Sequence, residues 1–229
     1  MTRIIQPELL DTLPPDDPRA VHSRRDLRRI NGWMRNHAIM ADALQNALNH
    51  HTSKQVVEIG AGDGNFLLRV AQTISHHCPD VKVTLLDLQK NVTGQTLAAF
   101  ASLGWSAEAV VADVFDWPQT SGDGEIVMAN LFLHHFEDSR LAILLHLIAQ
   151  RAGFFIAIEP QRAQWPLFCS RQLWALGCNN VTRHDAVVSV RAGFSSNEIS
   201  ALWADKQNWQ LTEKRAGAFS HLFIARKIS

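Results

Sequence analysis

Four polar residues stand where apolar, β-type runs give out: Glu58 after Val56-Val57, Asp87 after Leu85-Leu86, Asp113 after Val110-Val111-Ala112, and Asn130 after Val127-Met128-Ala129. Carboxylates accept hydrogen bonds from hydroxyls and ammonium groups, and are costly to bury without such partners. Taken alone, Asp113 reads equally well as a helix cap. Three acidic strand ends and an Asn at one rim instead predict a ligand rich in hydroxyls and amines. Directly after Glu58-Ile59 comes Gly60-Ala61-Gly62-Asp63-Gly64-Asn65, and a helical run from Phe66 follows. Glycine lacks a Cβ, so such a strand–loop–helix turn lets backbone lie flat against a ligand. A dinucleotide site needs G-x-G-x-x-G/A to seat a pyrophosphate. Here Asn65 takes the third-glycine place, so the spacing departs from that fingerprint.

Proton transfer near neutral pH falls most readily to histidine, and two candidates exist. His134, in Leu133-His134-His135-Phe136, follows the fourth apolar run, where it acts either as a base or as a structural cap with His135 beside it. His184 is flanked by Arg183 and Asp185, and a carboxylate neighbour raises imidazole basicity if the side chains meet. Asp185 reads equally as the N-cap of a helix from Ala186. Arg183 and Arg191 either bind an acidic group on a substrate or form surface ion pairs of small energetic weight. No tyrosine is present to serve as an alternative base. Adjacent histidines such as His50-His51, His76-His77 and His134-His135 diverge by about 100° on a helix, so no metal is expected. The three cysteines show neither C-x-x-C spacing nor an even count, which excludes a disulfide framework.

These residues need a scaffold that brings strand ends together. The pattern gives strands at Gln55–Ile59, Lys82–Asp87, Ala107–Val111, Glu125–Asn130 and Gly153–Glu159. Helices fall between them at Phe66–His76, Val92–Leu103 and Ser139–Arg151, with a shorter one after Phe115. Such alternation implies a parallel sheet covered on both faces, and its ligands bind beyond the carboxyl ends of the strands. Pro7, Pro14, Pro15 and Pro18 forbid a continuous N-terminal helix. Helix is expected from Ala20 to about Asn49, with a break at Gly32. After Glu159-Pro160 the rhythm changes to a helical insertion over about 161–195. A helix at Ser196–Ala204 and an antiparallel hairpin of Trp209–Arg215 and Phe219–Ala225 then close the sheet. Trp33, Trp165 and Trp174 lie in the two segments that would cover a pocket.

Lys+Arg and Asp+Glu both number 22, so no net field draws the chain to nucleic acid. The densest basic run, Arg24-Arg25-Asp26-Leu27-Arg28-Arg29, reads as a solvated helix face. A hydrophobic content of 46% with 19% charged residues describes a globular chain. The N-terminal segment carries acids and no apolar stretch of signal-peptide type. A cytoplasmic location is expected, with no membrane association.

The Glu-x-Gly-x-Gly-x-Gly order and the strand-end residues resemble the class I S-adenosyl-L-methionine (SAM) methyltransferases, over nearly the whole chain from about residue 50. The resemblance implies a Rossmann-like α/β fold, a doubly wound seven-stranded sheet with the last strand antiparallel. It also implies that Glu58, Gly60, Gly62 and Gly64 surround the methionine moiety and that Asp87 takes the ribose. Leu88 would pack on the adenine, Asp113 and Val114 would read its amino group, and Asn130 would end the fourth strand of the site. His134-His135 is similar to the His-Asp element of plant-type O-methyltransferases, whose first position is the base. Gly177-Cys178-Asn179-Asn180-Val181-Thr182-Arg183-His184-Asp185, continuing to Gly193-Phe194, resembles bacterial methyltransferases grouped with type III polyketide synthases, as does Gly217 to Ala225.

That closer resemblance implies a small-molecule acceptor, a phenolic or polyketide product methylated at oxygen in secondary metabolism. Trp33, His135, Arg183 and Arg191 would contact it. The expected layout is an N-terminal helical cap over 1–50 and a methyltransferase domain over 51–229, with a homodimer as the expected form of any self-association. Two other readings stand beside this one: a methyltransferase for RNA or protein, and a non-catalytic SAM-binding partner. The first is opposed by the neutral charge and by the lack of Asn-Pro-Pro-Tyr or Asp-Pro-Pro-Tyr after the fourth strand.

Overall fold

The structure is a computed structural model and describes residues 1–14, 16–117 and 124–228. Three helices lead the chain: α1 (Leu9–Thr12), α2 (Pro18–Met34) and α3 (Asn36–His50). The alternating part follows as β1 (Gln55–Ile59), α4 (Asn65–Ile74), β2 (Lys82–Asp87), α5 (Gly94–Ser102), β3 (Ser106–Val111), β4 (Glu125–Asn130), α6 (Asp138–Arg151) and β5 (Ala152–Pro160). Helices α7 (Gln164–Arg171), α8 (Asn180–Ala192) and α9 (Glu198–Leu202) precede β6 (Trp209–Ala216) and β7 (Ser220–Lys227). The helix expected after Phe115 is a turn over its described part, Val114–Asp116, and residues 118–123 lie outside the described residues.

The strands form one sheet in the order β3-β2-β1-β4-β5-β7-β6. Strands β1 to β5 pair in parallel, and β7 enters antiparallel between β5 and β6. This is the sheet expected, with the last strand reversed. Alternate residues of each central strand feed two separate cores. Val56, Val83, Leu85, Ile126, Met128 and Ile156 pack with Met40, Leu44, Leu67, Val70 and Phe100 of α3, α4 and α5. Val57, Ile59, Val127, Ala129 and Phe155 pack with Leu141, Leu144, Leu145 and Trp203 on the opposite face. Burial on both faces is why these strands read as continuous apolar runs.

Register then gathers the polar strand ends. Glu58 pairs with Leu85 and Met128, while Asp87 and Asn130 end the neighbouring strands one level further on. Between β1 and β4 the strand order reverses, and a crevice opens there.

Two expectations are corrected in the helices. The break falls at Arg35, which adopts left-handed backbone at φ 57°, and Gly32 lies inside α2. A helix interior tolerates glycine at about 1 kcal/mol, so composition alone did not locate the break. Helix α8 is capped by Asn179, whose side chain accepts from the Thr182 N–H at 2.8 Å. Asp185 lies further along α8, where its oxygens accept from the N–H groups of Leu9 and Leu10 at 2.8 and 2.9 Å. It caps the start of α1, a distant segment.

Candidate active site

The crevice has a volume of about 1040 Å³ and is lined by the strand-end residues on one side and by α2, α7 and α8 on the other. The glycine loop forms its floor. The Gly62 N–H donates to Asp87 Oδ2 at 2.8 Å, and the Gln89 N–H donates to Asp87 Oδ1 at 2.8 Å. Asp87 thereby staples the end of β2 to the loop after β1, a role not read from the sequence. Each carboxylate oxygen offers two lone pairs, so ligand hydroxyls can still be served. Gly60 and Gly62 are both left-handed, at φ 67° and 57°. A Cβ on Gly60 would meet the Phe132 ring at 2.2 Å, whereas one on Gly62 would meet nothing within 4 Å. Gly62 also lines the crevice, so its bare side belongs to whatever binds there.

Glu58 is 2% exposed, and its Oε2 has no hydrogen-bond partner among the described residues. Burial pushes its carboxyl well above the usual range, with the nearby charges of Asp63 and Asp87 adding to the rise. A buried acid with one oxygen unpartnered, beside two further carboxylates, fits a cationic, amine-bearing ligand, which would supply both the missing donor and the compensating charge. Leu88, 70% exposed and in the lining, offers an apolar platform on the same side. Asp113 accepts from the Phe115 N–H at 3.0 Å, and Asp113, Val114 and Asn130 all reach the crevice.

The other half is apolar and aromatic. Phe132 and Phe136 meet edge to face with centroids 5.1 Å apart, and Phe136 meets Phe115 likewise at 5.5 Å. Met34, Trp33, Phe168 and Leu173 face them from the cap. Helix α2 is fastened to α8 by buried Asp26, which accepts from the Asn179 N–H at 3.0 Å and from Thr182 Oγ1 at 3.2 Å. The basic run is therefore no simple solvated face: Asp26 is buried, Arg24 and Arg28 line the crevice, and Arg28 pairs with Asp63 at 2.9 Å. Of the three tryptophans expected at the pocket, Trp33 lines it. Trp165 stacks on Phe168 and is 56% exposed, and Trp174 is 59% exposed; neither is in the lining.

His184, Arg183 and Arg191 also fall outside the crevice lining. His184 Nδ1 lies 2.9 Å from Asp185 on the outer side of α8, and Arg183 donates to Asn180 at 3.1 Å. Helix α8 instead lends the crevice Ala186, Ser189 and Val190.

His134 and His135 do reach it, on a short 3₁₀ turn at Leu133–His135. Fully buried Glu159 organises this turn. Its Oε1 accepts from the N–H groups of Phe132 and Leu133 at 3.0 and 2.8 Å, and its Oε2 lies 2.7 Å from His134 Nδ1. Glu8, from the N-terminal arm, lies 3.3 Å from His134 Nε2 and accepts from Ser189 Oγ. Arg3 holds the same arm by donating to the carbonyls of Ala192 and Phe136. Burial alone would lower the His134 pKa, but the hydrogen bonds and charges of Glu159 and Glu8 raise it to about 9. Burial would likewise raise the Glu8 carboxyl, and the opposing His134 holds it at about 2. Both ring nitrogens are engaged by carboxylates, the arrangement of the structural one of the two roles expected for His134. Neither Glu8 nor the aromatic trio was named from the sequence. Glu8 lies 126 positions from His134 and carries no local signal, whereas Phe132 and Phe136 bracket the His pair already singled out.

Residues 56–151, from β1 to the end of α6, match a family model described as a methyltransferase domain. This stretch contains Glu58, the three loop glycines, Asp87, Asp113 and Asn130. Among curated proteins, Ribosomal RNA small subunit methyltransferase C of Cronobacter sakazakii (strain ATCC BAA-894) is 28% identical over 94 residues, which is 41% of this chain and 26% of the relative. The match thus spans about a quarter of that protein. Solved structures share the fold over a wider span. The plantazolicin methyltransferase BpumL in complex with SAH superposes with a TM-score of 0.66 at 9% identity, covering 93% of this chain and 91% of that one. An O-methyltransferase family protein from Burkholderia thailandensis gives 0.60 at 16%, covering 93% and 61%. Magnesium protoporphyrin IX methyltransferase from Synechocystis PCC 6803 with bound SAM gives 0.55 at 14%, covering 90% and 84%.

Proposed function

We propose that the chain is a SAM-dependent methyltransferase that methylates a hydroxyl of a small aromatic acceptor, a phenolic or polyketide-type product of secondary metabolism. The observation that carries this reading is the division of one crevice into a carboxylate-rimmed half and an aromatic half. SAM supplies an electrophilic sulfonium methyl when bound. Glu58, the face of Gly62 and the oxygens of Asp87 are the groups that would hold its methionine and ribose ends. Leu88, Asp113 and Val114, which line the same crevice, would take the adenine, and Asn130 would stand at the rim nearest the acceptor half.

The hydroxyl oxygen attacks the methyl carbon in line as the S–CH3 bond breaks, leaving neutral S-adenosylhomocysteine and releasing the hydroxyl proton to solvent, so positioning supplies much of the acceleration. Phe115, Phe132, Phe136 and Trp33 supply flat apolar contacts to an aromatic acceptor, and His135 stands at their margin. Asn31 Oδ1 is buried at the crevice without a partner among the described residues, which suits it to accept a hydrogen bond from an acceptor hydroxyl. His134, held between Glu159 and Glu8, orients this wall rather than removing a proton.

Incubation with methyl-labelled SAM, a panel of phenolic polyketides and a ribosomal RNA control tests the proposal. Label is expected in the phenols, as an alkali-stable ether. Label in RNA alone would overturn it in favour of a macromolecular acceptor, and tight SAM binding without transfer to any hydroxyl-bearing small molecule would favour a non-catalytic partner.

A further inference from the structure

Adjacent histidines diverge on an α-helix, but Leu133–His135 is a 3₁₀ turn, where the two rings lie 4.4 Å apart and tilt by only 35°. One nitrogen of each and one oxygen of Glu8 all fall within 4.8 Å of one another. From this convergence we propose that Glu8, His134 and His135 bind a divalent transition-metal ion of the zinc type, which pins the N-terminal arm to the crevice wall.

Three features of the cluster support an ion. First, His134 Nδ1 is committed to the Glu159 carboxylate at 2.7 Å, leaving Nε2 directed at Glu8 Oε1 at 3.3 Å. A carboxylate behind a ligand histidine is the usual device that fixes its tautomer and orientation. Second, one edge of the cluster matches a tetrahedral site, in which ligand atoms each about 2.0–2.1 Å from zinc lie roughly 3.3 Å from one another. The Glu8–His134 edge has that length, and Asp11 Oδ2 stands 3.3 Å from His135 Nδ1, ready to supply a fourth ligand. Third, the carboxylate is already held, because Ser189 Oγ donates to Glu8. Two imidazoles with carboxylate oxygens favour zinc-type ions over magnesium or calcium, which prefer all-oxygen shells. With no ion bound, a proton shared between Glu8 and His134 occupies the same gap. The two occupants make opposite predictions about metal affinity.

The test uses the full chain, stripped with EDTA and titrated with zinc chloride or magnesium chloride alone, followed by calorimetry. One zinc per chain is expected, with no comparable magnesium binding. Glu8→Gln and His135→Ala should each weaken zinc binding at least tenfold, and zinc should slow proteolytic cleavage of the first 17 residues. Cobalt should give the intense visible absorption of a tetrahedral site, and both variants should lose it. His135 is partly exposed, so its replacement should leave circular dichroism intact. Zinc affinity unchanged in both variants would overturn the proposal. So would affinity lost only in a His76→Ala, His77→Ala double variant, whose parent residues form an exposed pair elsewhere. Since the probe is metal alone, the outcome is independent of whether methyl transfer is observed.

Discussion

Gly60 and Gly62 have nearly the same backbone conformation and quite different surroundings. Alanine at 60 combines left-handed strain with a collision against Phe132, so a loss of about 2–5 kcal/mol is expected in urea unfolding. Alanine at 62 carries only the backbone strain, about 1–2 kcal/mol, but its methyl enters the crevice. SAM affinity should therefore fall at least tenfold in Gly62→Ala while the fold survives; unchanged affinity would remove the loop from the cofactor site. Glu58 gives a second prediction. Burial pushes its carboxyl pKa up, and the charges of Asp63 and Asp87 add to the rise. A cation binding there favours the ionised form, so binding should release a proton and tighten as pH rises toward the raised pKa. Calorimetry in two buffers of different ionisation heat measures that release, and Glu58→Gln should abolish it. At this scale much was legible from sequence, because a polar residue ending an apolar run is a visible event. Glu8 was not, since its importance exists only once a distant arm folds back across the strand ends.

Two elements depend on single buried carboxylates. Removing Glu159 leaves three backbone N–H groups and a charged imidazole without their acceptor, so Glu159→Ala should cost about 3–5 kcal/mol. Differential scanning calorimetry would read this as a large fall in Tm, and a shift of only a degree or two would mean the turn holds itself. Asp26 joins α2 to α8 over the acceptor half. Asp26→Ala should destabilise by about 1–3 kcal/mol and raise KM for the acceptor, leaving the Kd for SAM close to that of the parent. Equal effects on both ligands would show that the cap also shapes the cofactor half. The central strands β1, β4 and β5 were read almost to the residue, since burial on both faces makes them apolar runs bounded by polar ends. The cap was read less well. Its helices face a cavity on one side and solvent on the other, so Trp165 and Trp174 look like Trp33 in sequence, and all three are more than half exposed although only Trp33 also lines the crevice. His184 likewise lies on a helix that gives the crevice only Ala186, Ser189 and Val190, a choice of face that the sequence of α8 does not mark.

For the molecule as a whole, equal numbers of acidic and basic residues conceal an uneven distribution. Carboxylates collect at the strand ends, and Arg24, Arg28, Arg69 and Arg140 stand around the opening. An acceptor bearing a carboxyl group should accordingly bind more tightly at low salt than its neutral counterpart, by severalfold between 0.5 M and 0.05 M sodium chloride. Equal salt dependence for the two would count against a role for the arginine rim. The sheet order also bears on synthesis. Strand β6 leaves the ribosome before β7, yet its partner in the sheet is β7, wedged between it and β5. During translation the edge of β5 must stay bare, and β6 idle, until the reversed strand arrives to occupy the slot. Chains stalled a few residues short of β7 should thus present an open sheet edge to chaperones, while the half built from β1 to β4 is already assembled.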